Sequence, residues 1–131
     1  MAVEPARSHS RQMSTRIARV LLGLVFVTFG INGFFTFIPV PALHPFMVIL
    51  VSSGYIYFVK ALEVTAGGLL LADRAIVLAL ILLGADIANI VAYHLLLDHR
   101  DWPIVPIVVG LYARVFWDYR SQTRFMFCWR C

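Results

Sequence analysis

The sequence predicts an all-α fold, a transmembrane four-helix bundle, on three observations. The chain is 61% hydrophobic and only 14% charged, with a mean hydropathy of +0.84, whereas soluble domains carry about 25% charged residues. Four apolar stretches follow one another, each long enough to cross a bilayer as a helix and separated by short polar or proline-containing connections. The basic residues flank these stretches, with Arg7, Arg11, Arg16 and Arg19 before the first and Arg114, Arg120, Arg124 and Arg130 toward the chain's end. A net charge of +4 spread in this way reads as membrane orientation and not as phosphate recognition, so no nucleic acid is expected as a partner.

Residues 1–15 are polar, with Pro5, Ser8, Ser10 and Ser14 among the arginines, and are expected to be a disordered cytoplasmic tail. The apolar run that follows is too long for a cleaved signal peptide and lacks its small-x-small site. One domain, 16–119, then holds four spans. The first, 17–37, has length enough for ~30 Å of hydrocarbon. Gly23 and Gly30 lie seven apart on nearly one face with Gly33 close by, and small residues so placed let a second helix approach. Asn32 is its one strongly polar side chain. Pro39, Pro41 and Pro45 end the helix, because proline lacks an N–H and disfavours helix in the residue before it.

The uncharged segment 42–53 is too short to cross and reads as an interfacial or re-entrant piece, with His44 as a loop histidine at headgroup level. The second span, 55–71, is entered through Tyr55, Tyr57 and Phe58, an aromatic belt. Asp73-Arg74 makes a short hairpin into the third span, 76–97, which carries Asp86, Asn89, Tyr93 and His94. After the loop Asp98-His99-Arg100-Asp101, Trp102-Pro103 opens the fourth span, 103–119, with Arg114 near its inner end. Residues 120–131 form a second cytoplasmic tail. Four spans leave both termini on one side, with eight arginines there and only Arg100 opposite. The positive-inside rule makes that side cytoplasmic in a multi-pass protein of the inner (plasma) membrane.

Between Arg19 and Lys60 the chain has no Asp, Glu, Lys or Arg, and after Glu63 it is apolar again up to Asp73. Lys60, Glu63 and Gly67 share one helix face at i, i+3 and i+7. Ionisable groups inside a span are costly and face a bundle interior, a partner or a cavity. Counted from the outer ends at ~1.5 Å per residue, Asn32 and Lys60 lie about 7–8 Å deep and Glu63 and Asn89 about 12 Å deep. His94 is shallower and Asp86 is near the midplane. The candidate intramembrane polar site is therefore Asn32, Lys60, Glu63, Asp86, Asn89 and His94, with Gly23, Gly30, Gly33 and Gly67 as packing residues. Lys60 either neutralises Glu63 along its own helix or snorkels outward and leaves Glu63 to accept from Asn89. Asp86 is either protonated or reaches toward Arg114. The plain alternative is a polar network that only fixes helix register.

Other motifs carry less. Cys128-Trp-Arg-Cys131 has redox spacing, but it lacks a βαβ context and would face a reducing cytosol. His94, Asp98, His99 and Asp101 meet no zinc spacing, so no metal is expected. There is no Gly-rich phosphate loop, nucleophile elbow or histidine pair for haem, and no covalently bound cofactor is expected.

Gly30-Ile-Asn-Gly-Phe-Phe, Phe37-Ile-Pro-Val-Pro and Ser53-Gly-Tyr resemble the first-helix end and loop of the DoxX family. Lys60-x-x-Glu63-x-x-x-Gly67-x-Leu-Leu-Leu resembles its second-helix motif, and Asn89-Ile-Val-Ala-Tyr-His94-Leu its third. The match runs from about Arg16 to Trp117 and departs at Ala85-Asp86, where the family commonly has proline and an apolar residue. The resemblance implies a four-helix membrane bundle and an accessory subunit of a quinone-linked membrane redox or thiol-stress complex, and the absence of a redox ligand set counts against an enzyme on its own. A quinone or lipid is the ligand and a membrane or peripheral protein the partner expected on this reading, and a homo-oligomer is one expected form. The other readings are a membrane scaffold or cargo receptor and a small oligomeric transporter.

Overall fold

The computed structural model describes residues 9–37, 44–100 and 102–127, with side chains described as far as residue 120. It consists of α1 (His9–Phe35), α2 (Pro45–Ser52), α3 (Tyr55–Ala72), α4 (Ile76–Leu96) and α5 (Ile104–Phe127), with no strand among the described residues. Local chemistry sets the breaks. Pro45 starts α2, where its missing N–H goes unneeded, and His44 caps that helix by accepting from the Phe46 N–H at Nδ1, 3.2 Å away. Gly54, at φ +79°, turns the chain from α2 into α3 in a conformation open to glycine. The hairpin between α3 and α4 places Asp73 and Ala75 in the left-handed region, at φ 55° and 47°.

The four long helices form a ring. α1 packs on α3 and α5, α4 packs on the same two, and α2 lies on α3. Contacts between helix ends give the directions. Arg19, early in α1, donates to the Leu70 carbonyl late in α3 at 2.7 Å and pairs with Asp73 at 3.0 Å. Arg11, at the start of α1, pairs with Asp118 in the second half of α5 at 3.2 Å. The helices therefore run up, down, up, down. Leu22, Leu70, Leu80, Leu83 and Val115 fill the centre.

The α1–α3 seam is built on glycines. A Cβ on Gly23 would stand 3.0 Å from the Gly67 carbonyl oxygen and 2.9 Å from Leu71 Cγ. One on Gly67 would stand 2.9 Å from the Gly23 oxygen and 3.0 Å from the Val27 nitrogen. Gly30 faces Val64, and Gly33 carries the aliphatic stem of Lys60 across it. The two backbones approach where side chains are missing, the packing that helices adopt when no water drives them together. On α4, Gly84 leaves room for the Tyr112 hydroxyl, which donates to the Leu80 carbonyl at 2.7 Å.

The outward faces are apolar. Ile17, Leu21, Leu24 and Phe29 on α1, Leu78 on α4 and Ile107 on α5 are all exposed. α1, α3 and α4 are each long and apolar enough to cross a membrane. α5 is not one of these three, and it carries Arg114, Asp118 and Arg120 from its middle onward.

The ends of the chain differ from expectation. Residues 9–15, read as part of a disordered tail, continue α1, because Thr15 and Arg11 on that extra length both bind the buried Asp118. Residues 120–127, read as tail, continue α5. The segment 42–53 contains two turns of helix, none of whose residues is buried. Pro39, Pro41, Arg7, Cys128 and Cys131 lie outside the described residues.

Neighbouring glycines test the seam. Gly67→Ala meets backbone on α1 and should cost about 1–3 kcal/mol, the usual penalty of overpacking. Gly68→Ala, with nothing within 4 Å of its Cβ, should be neutral or stabilise by about 0.5–1 kcal/mol. Thermal unfolding of the two variants in the same detergent measures the difference.

Candidate functional site

Lys60 and Glu63 lie one helical turn apart on α3, and their side chains meet. Lys60 Nζ donates to both Glu63 oxygens, at 2.9 and 3.0 Å. Glu63 is only 5% exposed, and the Lys60 side chain is 21% exposed. Bending back over Gly33 brings the ammonium to the carboxylate and not out to the helix end. From α4, Asp86 brings a second carboxyl against Glu63. Its Oδ2 is buried with no hydrogen-bond partner among the described residues. Two acids and one base thus share a small volume of low dielectric. The unit is complete with one further positive charge, either a proton between the carboxyls or a cationic group from outside.

Above this group lies a cavity of about 610 Å³ between α2, α3 and α4. Lys60, Glu63, Asp86 and Asn89 supply its polar side, and Met47, Leu50, Ile56, Val59, Leu62 and Ile90 supply apolar wall. Its size and make-up, mostly apolar with a few convergent polar groups, are those of a small-molecule site. Tyr93 stands at one end in an aromatic cluster, with ring centroids 5.3 Å from His94, 6.1 Å from His44 and 6.2 Å from Phe46. The Tyr93 hydroxyl also donates to Asp98 at 3.4 Å. In the adjoining loop, hydrogen bonds from the Arg100 guanidinium and backbone hold the Asp98 carboxyl at a pKa of about 2, below the usual carboxylate range.

The structure brings some of the expected residues together and separates others. Lys60, Glu63, Asp86, Asn89 and His94 line one cavity. Asn89, expected opposite Glu63, is exposed at the cavity floor, and Asp86 one turn away is the α4 group against the glutamate. Asp86 does not reach toward Arg114, whose guanidinium pairs with Asp118 at 2.7 Å. His94 Nδ1 is 2.8 Å from the Ile90 carbonyl, so that nitrogen carries the proton and donates. Asn32 is buried on α1, outside the cavity lining, and its carbonyl accepts from the Thr36 N–H.

A second buried ionic group was not anticipated. The Asp118 side chain is fully buried and accepts from Arg11, Arg114 and the Thr15 hydroxyl. It ties the start of α1 to the second half of α5. Arg114 and Asp118 stand at i, i+4 on one helix, a spacing that the sequence offered, whereas Arg11 and Thr15 reach it only through the ring closure.

No protein-family model, curated protein or solved structure matches the chain. The site's chemistry therefore rests on its own geometry. An apolar chamber with an ionic floor can hold an amphiphile by its polar end. Among the described residues, no three His, Cys, Asp or Glu side chains converge to hold a metal.

The three-charge unit predicts unequal costs. Lys60→Met leaves two carboxyls without their cation and should cost about 3–5 kcal/mol. Asp86→Asn leaves the Lys60–Glu63 pair intact and should cost about 1 kcal/mol or less. Lys60→Met combined with Glu63→Gln should regain part of the first loss. Thermal unfolding of the purified variants gives the order.

Proposed function

We propose that the chain is a multi-pass inner-membrane protein with four spans and cytoplasmic termini, and that its cavity holds a lipophilic molecule. In this reading it is a non-catalytic accessory subunit of a membrane complex. A quinone-linked redox complex is the partner class that the DoxX resemblance implies. The observation that carries the proposal is the pairing of an apolar chamber of about 610 Å³ with a floor of buried Glu63 and half-buried Lys60 and Asp86. Charges are kept inside an apolar helix pair at considerable cost unless they pair or serve a ligand. Lys60 and Glu63 balance one another, so the second carboxyl, Asp86, is in excess of the charge that Lys60 can neutralise.

Several features support the membrane reading. Three helices have the length and apolarity to cross, and the exposed faces of the bundle are apolar. In α5 the charges that stand against a fourth span are compensated. Arg114 pairs with Asp118, which is buried, and Arg120 lies over the Trp117 ring at 4.1 Å, suited to the interface. Lys60, Glu63, Gly67, Asn89 and His94, which carry much of the family resemblance, lie on this seam and cavity.

Two measurements test the proposal. Reporter fusions in the 98–101 loop and after residue 119 should report opposite sides, and the same side for both would exclude a fourth span. Mild purification followed by mass spectrometry should find a bound lipophilic molecule and a membrane or peripheral protein partner. Val59→Trp, which fills the chamber from its wall, should lose the small molecule while the bundle keeps its unfolding temperature. A partner bound with the chamber empty would favour a scaffold.

A further inference from the structure

The hydrogen-bonding groups at the cavity floor are unevenly divided. The one ammonium, Lys60 Nζ, gives two of its three N–H groups to the oxygens of Glu63. The Asp86 carboxyl has an oxygen without a partner among the described residues. His94 uses Nδ1–H on the Ile90 carbonyl, which leaves Nε2 as an acceptor while the ring is neutral. Asn89 offers both donor and acceptor, as does the Tyr55 hydroxyl elsewhere in the lining. The floor is thus rich in acceptors and short of donors, and its two acids outnumber its one base.

We infer that the cavity selects amphiphiles whose polar end donates hydrogen bonds, with a cationic ammonium end the best fit, over those whose end only accepts or is anionic. This rests on the ligand-cavity reading above and narrows it. An ammonium donates to Asp86 and supplies the positive charge that the unit lacks. A proton held between Asp86 and Glu63 leaves to solvent as the ammonium arrives, so charge is conserved. An anionic head would be a third negative group beside two carboxyls. A quinone presents carbonyl acceptors to acceptors, whereas the hydroquinone presents two O–H donors to them. The other titratable groups lining the cavity are Tyr55 on α3 and Tyr93 and His94 on α4, and α2 contributes none. Donor chemistry is thus common to two sources, an amine-headed amphiphile and a hydroquinone.

Equilibrium binding of radiolabelled probes of one chain length to the full chain in nanodiscs tests this. The probes are hexadecylamine, hexadecanol, palmitate and its methyl ester, with a decyl hydroquinone and its quinone as a second arm. The amine should bind about tenfold or more tighter than the ester or the carboxylate, with the alcohol between. The hydroquinone should bind about tenfold tighter than the quinone, which would raise the midpoint potential of the bound couple by about 30 mV. Asp86→Asn should bring amine and carboxylate to within about threefold of each other. Tighter amine binding with no hydroquinone preference would identify the ammonium source, and the reverse pattern the hydroquinone. Ester or carboxylate binding as tightly as the amine, together with quinone binding as tightly as the hydroquinone, would overturn the inference while leaving the cavity a ligand site. Binding of no probe at all would overturn the ligand reading itself. The wild-type comparison stands even where the variant does not fold.

Discussion

Glu63 keeps a carboxylate at 5% exposure because Lys60 reaches both of its oxygens. That reach depends on Gly33, where any side chain would overlap the lysine stem. A charge in low dielectric is tolerated only with its partner in place, and the partner here is held by the packing of α1 on α3. The glycine seam and the ion pair are therefore one device. Gly23 and Gly67 let the backbones close, Gly30 carries the contact toward α2, and Gly33 seats the lysine.

From this device the rest of the site follows. α4 joins α3 through a three-residue hairpin and returns antiparallel, which places Asp86 beside Glu63. α2 is too short to enter the bundle, so it lies on α3 and bounds a chamber between itself, α3 and α4. The other end of the ring is closed by a different ionic group around Asp118, with Arg11, Thr15 and Arg114. One end is thus stapled by a saturated network of charge, and the other holds an unsaturated one beside an open volume. That asymmetry points to the α2 end as the place where a ligand belongs.

What could be read from the sequence was whatever a single helix decides. The i, i+3 and i+7 spacing put Lys60, Glu63 and Gly67 on one face, and the glycines of the first helix marked a close approach. The class was equally legible, since 61% hydrophobic residues in long runs leave few alternatives to apolar helices. Relations between helices were not. Depth counting matched Asn89 to Glu63, but depth says nothing of rotation about the helix axis, and the α4 face that meets Glu63 presents Asp86. Arg11 and Arg19 were read as markers of sidedness, which hid their hydrogen bonds to Asp118 and Leu70. A terminal stretch rich in serine and arginine looks disordered until its partner on another helix is known, which is why α1 begins earlier than expected.

The central claim is that Lys60, Glu63 and Asp86 act as one unit of two acids around one base. A double-mutant cycle on Glu63→Gln and Asp86→Asn measures it most directly, because either carboxylate alone can serve Lys60 and the loss of both strands it. Unfolding free energies of the wild type, the two single variants and the double variant, in one detergent at one pH, complete the cycle. The account predicts that the double variant loses at least about 1 kcal/mol more than the two single losses added together. Additive losses would mean that Asp86 is not part of the unit, and would contradict the account.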